Sequence, residues 1–337
     1  LEMAGVKSHY IKDILYIYNM SNPLNDHKID NAYQQQLERE IRSKKKYETL
    51  VQKKITINFI DNNISHAISY NDTLEPGRPS LFLEYVRGHS VWQGVSVFTD
   101  NRIKDVTFIK SDYKVAWLME PRAFSPSCYS ILESMIHEFN FVLTYDSKLL
   151  REHPRKCIFT PADGIFLDHK SVFAESVKKE KMISHIFSNK KQLKGHRLRH
   201  TVAEIIKENG FNVDLYGYGS GNSLSKKSDG LNPYFFSIII ENNRDKNYFT
   251  EKILDAFACR AIPIYWGAPN ISDWFDMDSI ICFENLIDLK EILMSLTEKD
   301  YYKRFKSLMR NYKKSLEFFD YDKIISKNIQ EGLDGER

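Results

Sequence analysis

The sequence predicts an α/β protein with two mostly parallel sheets, and three observations carry that reading. Strand-sized apolar runs recur from residue 55 onward and are separated by helix-length segments. The series runs twice, broken by a polar, lysine-rich stretch at 172–181. The length of 337 residues exceeds one ordinary core and suits two.

Composition agrees. With 42% hydrophobic, 13% aromatic and 28% charged residues the chain can fill packed interiors, which excludes disordered, collagen-like and low-complexity classes. Lys plus Arg at 48 against Asp plus Glu at 45 leaves +3, too even to point to a nucleic-acid partner. The longest apolar runs, such as 235–240, fall far short of the ~20 residues of a membrane helix. No signal peptide is visible, and 1–7, which opens on Leu1, carries little fold information. Cys128, Cys157, Cys259 and Cys282 form no CxxC pair and read as reduced core thiols. Sequon-like triplets at Asn19, Asn63, Asn71 and Asn270 are too short to establish secretion, so the expected location is cytoplasmic.

The elements follow in order. Residues 1–54 form an accessory segment, polar and irregular, with a helical, exposed 30–54. The first strand is 55–61, ended by Asn62 and Asn63. Further strands are expected at 95–98, 106–109, 114–118, 141–144 and 157–160, with a helix over 128–137. This gives a first α/β domain over 55–175. The second, 176–298, places strands at 182–188, 213–216, 235–240, 261–265 and 279–283, and helices at 198–208, 251–260 and 286–297. A basic, aromatic helical tail occupies 299–337. Its lysines and rings suit either an anionic membrane surface or packing across the domains with the charges in water.

Chemistry concentrates after the strand 235–240. The strand ends at Glu241 and Asn242, a polar loop follows, and Thr250 is placed to cap a helix whose apolar face is Ile253, Leu254, Phe257 and Ala258. Open α/β sheets bind ligands at the carboxyl ends of strands, and a helix amino terminus favours phosphate. Lys252 sets a positive charge in that first turn, where carboxylates are preferred, so it is either a solvated lysine beside Glu251 or an anion contact. A second basic cluster, Lys190, Lys191, Lys194, His196, Arg197 and Arg199, follows another strand and is either a solvated face or the partner half of a diphosphate site.

These residues resemble a known family. Glu241-Asn242, Tyr248, Thr250-Glu251-Lys252 and the run 261–267 (Ala-Ile-Pro-Ile-Tyr-Trp-Gly) are similar to the α-1,3/4-fucosyltransferases of glycosyltransferase family 10. The run 213–217 (Val-Asp-Leu-Tyr-Gly) and the preceding Arg197 and Arg199 stand in the same order. The resemblance is strong over 180–285, fainter over 55–168 and absent from 1–54. It implies a GT-B architecture of two facing Rossmann-like domains, the second holding GDP-fucose and the first a glycan or glycoconjugate acceptor. It also implies transfer with inversion. Its donor-site candidates here are Arg199 or Arg197, Asn242, Tyr248, Thr250, Glu251 and Lys252, and its general base falls on Glu120.

Glu120 also follows from the residues themselves. The run 115–122 is read as an apolar strand ending in Glu-Pro, which aims a carboxylate at the strand's carboxyl edge; otherwise it is a surface Glu in a turn. Glu251 is the second catalytic candidate, holding sugar hydroxyls or an oxocarbenium-like centre. No cofactor and no metal are needed by this scheme. The DxD pairs Asp276/Asp278 and Asp320/Asp322 are common patterns, and the HxxxH of His196 and His200 encloses two arginines that repel a cation. The glycine-rich 217–221 reads as a loop near the donor, not a dinucleotide fingerprint. Two other functions stay open: transfer of a different sugar from its nucleotide, or a non-catalytic glycan- or nucleotide-binding protein on the same fold.

Overall fold

A computed structural model describes residues 54–64, 66–174 and 177–335. The chain divides into two compact units, Leu1–Lys54 with Phe173–Ser176, and Ile55–Val172 with Val177–Arg337. The second unit holds both sheets. The accessory segment expected at 1–54 lies outside the described residues, except for Lys54.

The first sheet has six parallel strands, β1 (Ile55–Ile60), β2 (Leu83–Val86), β3 (Val91–Thr99), β4 (Lys110–Trp117), β5 (Phe141–Thr144) and β6 (Cys157–Phe159), in the order β2-β1-β3-β4-β5-β6. The second has five, β7 (Lys181–Ile186), β8 (Val213–Tyr216), β9 (Tyr234–Ile240), β10 (Ile262–Trp266) and β11 (Ile281–Cys282), in the order β11-β10-β9-β7-β8. All pairings are parallel, and β9 is buried along its whole length. Strands covered on both faces become near-continuous apolar runs, which is why this sheet is legible in the sequence. In each sheet the strand order reverses beside the first strand of the series, and the crevice at that reversal is where an open sheet receives ligands.

The helices are α1 (Tyr70–Leu74), α2 (Pro126–Met135), α3 (Ser147–Glu152), α4 (His169–Val172), α5 (Lys194–Asn209), α6 (Glu251–Ala258), α7 (Leu286–Ser295), α8 (Glu298–Ser315) and α9 (Tyr321–Gly335). Two expectations change. The strand expected at 106–109 is absent: Asp100–Thr107 is a 3-10 helix, and Ile103 and Val106, three residues apart, enter the core from one face of it. The half-exposed edge strand β2 was not expected. The helical tail is made of two helices, and they serve different sheets.

In α8, Tyr301 packs edge-on against Phe235 and Phe236 of β9, and Leu308 and Tyr312 are buried. In α9, Tyr321, Ile325 and Ile329 join Ile57, Phe59 and Trp117 in the core of the first sheet. The chain therefore returns to its first sheet at the end and ties the two halves together. Much of the tail's aromatic content is spent on this packing, and nothing in it supports the membrane contact considered from sequence. Among the described residues no helix is long and apolar enough to cross a membrane. Of the four cysteines, Cys128, Cys157 and Cys259 are buried, but Cys282 at the end of β11 is exposed, so it is not a core thiol.

Candidate active site

The site is built around the end of β9. The Glu241 carboxylate is fully buried and accepts from the Thr250 amide at 3.0 Å and the Thr250 hydroxyl at 2.7 Å. Thr250 caps α6 as expected, its hydroxyl accepting from the Lys252 amide at 3.4 Å. The Lys252 ammonium folds back to Thr250 Oγ1 at 2.9 Å, to Glu251 at 3.0 Å and to Glu241 at 3.6 Å. One lysine thus serves two carboxylates at the head of a helix. Burial raises the Glu241 carboxyl against the pull of Lys252. Burial alone would raise Glu251 too, but Lys252 and Lys227, with hydrogen bonds from Lys252 and Thr250, hold it well below the usual carboxylate range.

The second basic cluster divides. Helix α5 starts at Lys194, four residues earlier than expected, so His196, Arg197 and Arg199 all lie in it and point to different sides. Arg199 is buried and donates from Nε to the Ile240 carbonyl at 2.9 Å and from Nη2 to Asn242 Oδ1 at 2.8 Å. Its own carbonyl lies 3.1 Å from His185 Nε2, in the strand behind. Arg197 is exposed, donates to the carbonyls of Lys191 and Gln192, and lines a separate depression with Lys194 and Trp266. The two arginines differ in position: Arg199 faces the crevice and Arg197 does not.

Across from α6 stands Glu120. Strand β4 ends at Trp117, so Glu120 sits in the loop after it, not on the strand. That loop is fastened from below: Asp100 Oδ1 accepts from the amides of Met119 at 3.1 Å and Glu120 at 3.4 Å, and the Tyr129 hydroxyl donates to the Glu120 carbonyl at 2.8 Å. Burial raises the Glu120 carboxyl, while Lys190 and Lys252 draw it down and Glu251 adds to the rise.

These groups share one cavity of about 630 Å³ between the sheets. Its wall carries Glu120, Lys190, His196, Arg199, Asn242, Tyr248, Thr250, Glu251 and Lys252. The catalytic and donor-site candidates except Arg197 meet there, while Lys191 and Lys194 of the basic cluster do not line it. Gly217 and Tyr218 of the glycine-rich loop line it as well. Gly217 has φ +91° and lies against the Phe187 carbonyl, which a Cβ would approach to 2.3 Å. His196 of the basic cluster lines the cavity too, and its Nδ1 accepts from the Leu193 amide at 3.2 Å. The cavity also holds residues that sequence reasoning passed over. Asp163 comes from the segment after β6 and Lys227 opens a one-turn 3-10 helix, Lys227–Gly230, and neither belongs to a motif. The DxD aspartates are engaged elsewhere: Asp276 with Arg310, Asp322 with Tyr85 and Asn71.

The family model "Glycosyltransferase family 10 (fucosyltransferase) C-term" matches residues 176–329. This part of the chain is similar to glycosyltransferase family 10. The family 10 segment is β7 to α9, the half that carries Arg199, Asn242, Glu251 and Lys252. The alpha-(1,3)-fucosyltransferase FucT of Helicobacter pylori is 39% identical over 70 residues, 21% of this chain and 14% of that protein. The 4-galactosyl-N-acetylglucosaminide 3-alpha-L-fucosyltransferase 9 of Mus musculus is 24% identical over 201 residues, 57% of this chain and 49% of that protein. The chain thus spans no more than half the length of these two curated relatives. In fold, a crystal structure of an alpha1,3-fucosyltransferase with GDP aligns over 81% of this chain and 90% of its own, with a TM-score of 0.50 at 16% identity. The architecture is GT-B.

Proposed function

We propose that the protein is an inverting glycosyltransferase that moves L-fucose from GDP-fucose to a hydroxyl of a glycan acceptor, in an α-1,3-type linkage. One observation carries the proposal: Glu120 from the first sheet and the Arg199, Glu251 and Lys252 group from the second face one cavity. The curated relatives, named as α-1,3-fucosyltransferases, give the donor sugar.

In this reading the acceptor hydroxyl approaches the anomeric carbon from the Glu120 side, and the Glu120 carboxylate takes its proton as the new glycosidic bond forms. The bond from the anomeric carbon to the β-phosphate oxygen breaks on the opposite face, and its electron pair leaves with GDP. Attack opposite the leaving group converts a β-linked donor into an α-fucoside. Lys252 and Arg199 offset the charge gathering on the diphosphate, at a helix amino terminus that favours it already. Glu251, kept ionised by Lys252 and Lys227, faces the sugar and stabilises positive charge at its ring. The scheme draws on no metal or cofactor.

The test is turnover of GDP-fucose over a glycan array, with other sugar nucleotides alongside. Release of GDP with fucosylated product supports the proposal. Thermal stabilisation by GDP with no donor consumed on any acceptor points instead to a binding protein.

A further inference from the structure

Asp163 sits in the segment that leaves β6, and that segment is fastened along its length. The Tyr321 hydroxyl donates to the Pro161 carbonyl, the Ile165 amide to the Phe318 carbonyl at 3.1 Å, and the Phe166 amide to Asp255 Oδ1 at 2.8 Å. Ala162 is buried with Tyr145 and Tyr248. Gly164 is wedged against α9 and the turn before it, since a Cβ there would stand 2.8 Å from the Phe318 carbonyl oxygen and 2.9 Å from Tyr321 Cβ. The loop therefore presents Asp163 to the cavity as a fixed group.

Among the described residues only one of its two oxygens has hydrogen-bond partners. Oδ1 accepts from the Tyr70 hydroxyl at 3.1 Å and from the Gly164 amide at 2.9 Å. Among the described residues Oδ2 has none. Burial, with the charge of Glu251, pushes this carboxyl well above the usual range, against the Gly164 amide and Lys252. A strut holding the turn to Tyr70 needs one acceptor, and a serine or asparagine would meet that need without the cost of burying a second carboxylate beside Glu251.

The chemistry of the surroundings selects the ligand. Asp163 and Glu251, the latter already paired with Lys252 and Lys227, present carboxyl oxygens that match a neutral polyol, whose hydroxyls exchange hydrogen bonds with both. The further cations on the wall of the same cavity, Lys190 and Arg199, come from α5 and the loop before it. Lys190 and Arg199 thus mark the part for the diphosphate, and Asp163 with Glu251, which Lys252 already pairs, the part for the sugar. Resting on the fucosyltransferase reading above, we propose that Asp163 binds a hydroxyl of the transferred sugar through Oδ2, beside Glu251, and so selects the donor's sugar.

The experiment compares Asp163→Asn with the wild type for GDP affinity by calorimetry and for KM and kcat with GDP-fucose, including its hydrolysis without acceptor. Asparagine keeps an acceptor for Tyr70 and Gly164 and changes the atom that faces the sugar. The expected result is a KM for GDP-fucose raised roughly tenfold or more, the scale of one lost hydrogen bond to a charged group, with GDP affinity within about twofold of wild type. An unchanged donor KM, a rise confined to the acceptor KM, or an equal loss of GDP affinity overturns the assignment. Asp163→Ala should show the same donor-specific loss. A wild type that neither binds nor consumes GDP-fucose overturns the fucosyltransferase reading itself. An active wild type with an indifferent Asp163→Asn overturns this inference alone.

Discussion

Gly195 and Glu241 touch: the Gly195 amide donates to the Asn242 carbonyl at 3.0 Å, and a Cβ on Gly195 would stand 1.8 Å from the Glu241 carbonyl oxygen. The contact brings the start of α5 flush against the end of β9, which is how Arg199 reaches the Ile240 carbonyl and Asn242. Because the obstacle is backbone, no rotamer change relieves it. Gly195→Ala is expected to cost about 3 kcal/mol of stability or more, at or above the upper end for overpacked sites, and to weaken GDP binding at least tenfold. Calorimetry with GDP and thermal unfolding check both; a variant with wild-type GDP affinity refutes the role of the contact.

Glu120 gives a prediction in pH. A general base acts when ionised, and burial has raised its carboxyl. The acid limb of kcat/KM should therefore lie above the ordinary carboxylate range, with activity rising as pH increases through it. Glu120→Gln should lose about 10²–10⁴-fold in kcat at neutral pH and lose that limb, with GDP affinity unchanged. A variant that keeps both rate and limb removes Glu120 from the mechanism.

Lys227 stands 2.6 Å from Asp255 and 3.8 Å from Glu251. Replacing it by Met leaves the buried Asp255 carboxylate uncompensated, at a cost of about 3 kcal/mol. It also removes one of the two charges that keep Glu251 ionised. The double change Lys227→Met with Asp255→Asn should restore most of the stability, since asparagine still accepts from the Phe166 amide, but not kcat. Unfolding and turnover of the two variants are the measurements, and a double variant with full kcat shows that Lys227 serves only the fold.

How much of this was legible in the sequence depends on how local each feature is. The end of β9, the Thr250 cap and the first turn of α6 lie within a dozen residues and announce themselves as an apolar run, a polar loop and a capped amphipathic helix. Glu120 was legible as a residue but not as a position, because the loop that carries it is held by Asp100, far back in the chain. The split between Arg197 and Arg199 needed the true start of α5, and the strand misread at 106–109 needed the spacing of Ile103 and Val106 to be seen as a helix face. Asp163 and Lys227 could not be found. Each sits in a connection between strands, and its meaning comes from neighbours brought in by other segments.

Asp322 shows the same long-range joining and yields a prediction about stability. It is fully buried at the start of α9 and accepts from the Tyr85 hydroxyl at 2.6 Å and the Asn71 amide at 3.3 Å, joining α9 to β2 and α1. Burial raises its carboxyl to about 6, against hydrogen bonds from Tyr85 and Asn71. A carboxyl whose folded pKa lies above its unfolded value binds its proton more tightly in the folded state. Its favourable contribution is present below the unfolded pKa, near 3.8, and is lost as pH rises through about 6. A shift of about two units corresponds to about 3 kcal/mol between those limits. Asp322→Asn removes the titration while keeping an acceptor for Tyr85. Its Tm relative to wild type should therefore climb as pH goes from about 4 to about 7, the window that the shift defines. Paired unfolding curves across that range decide the matter, and a Tm difference that stays flat means the carboxyl is already ionised in the fold at no cost.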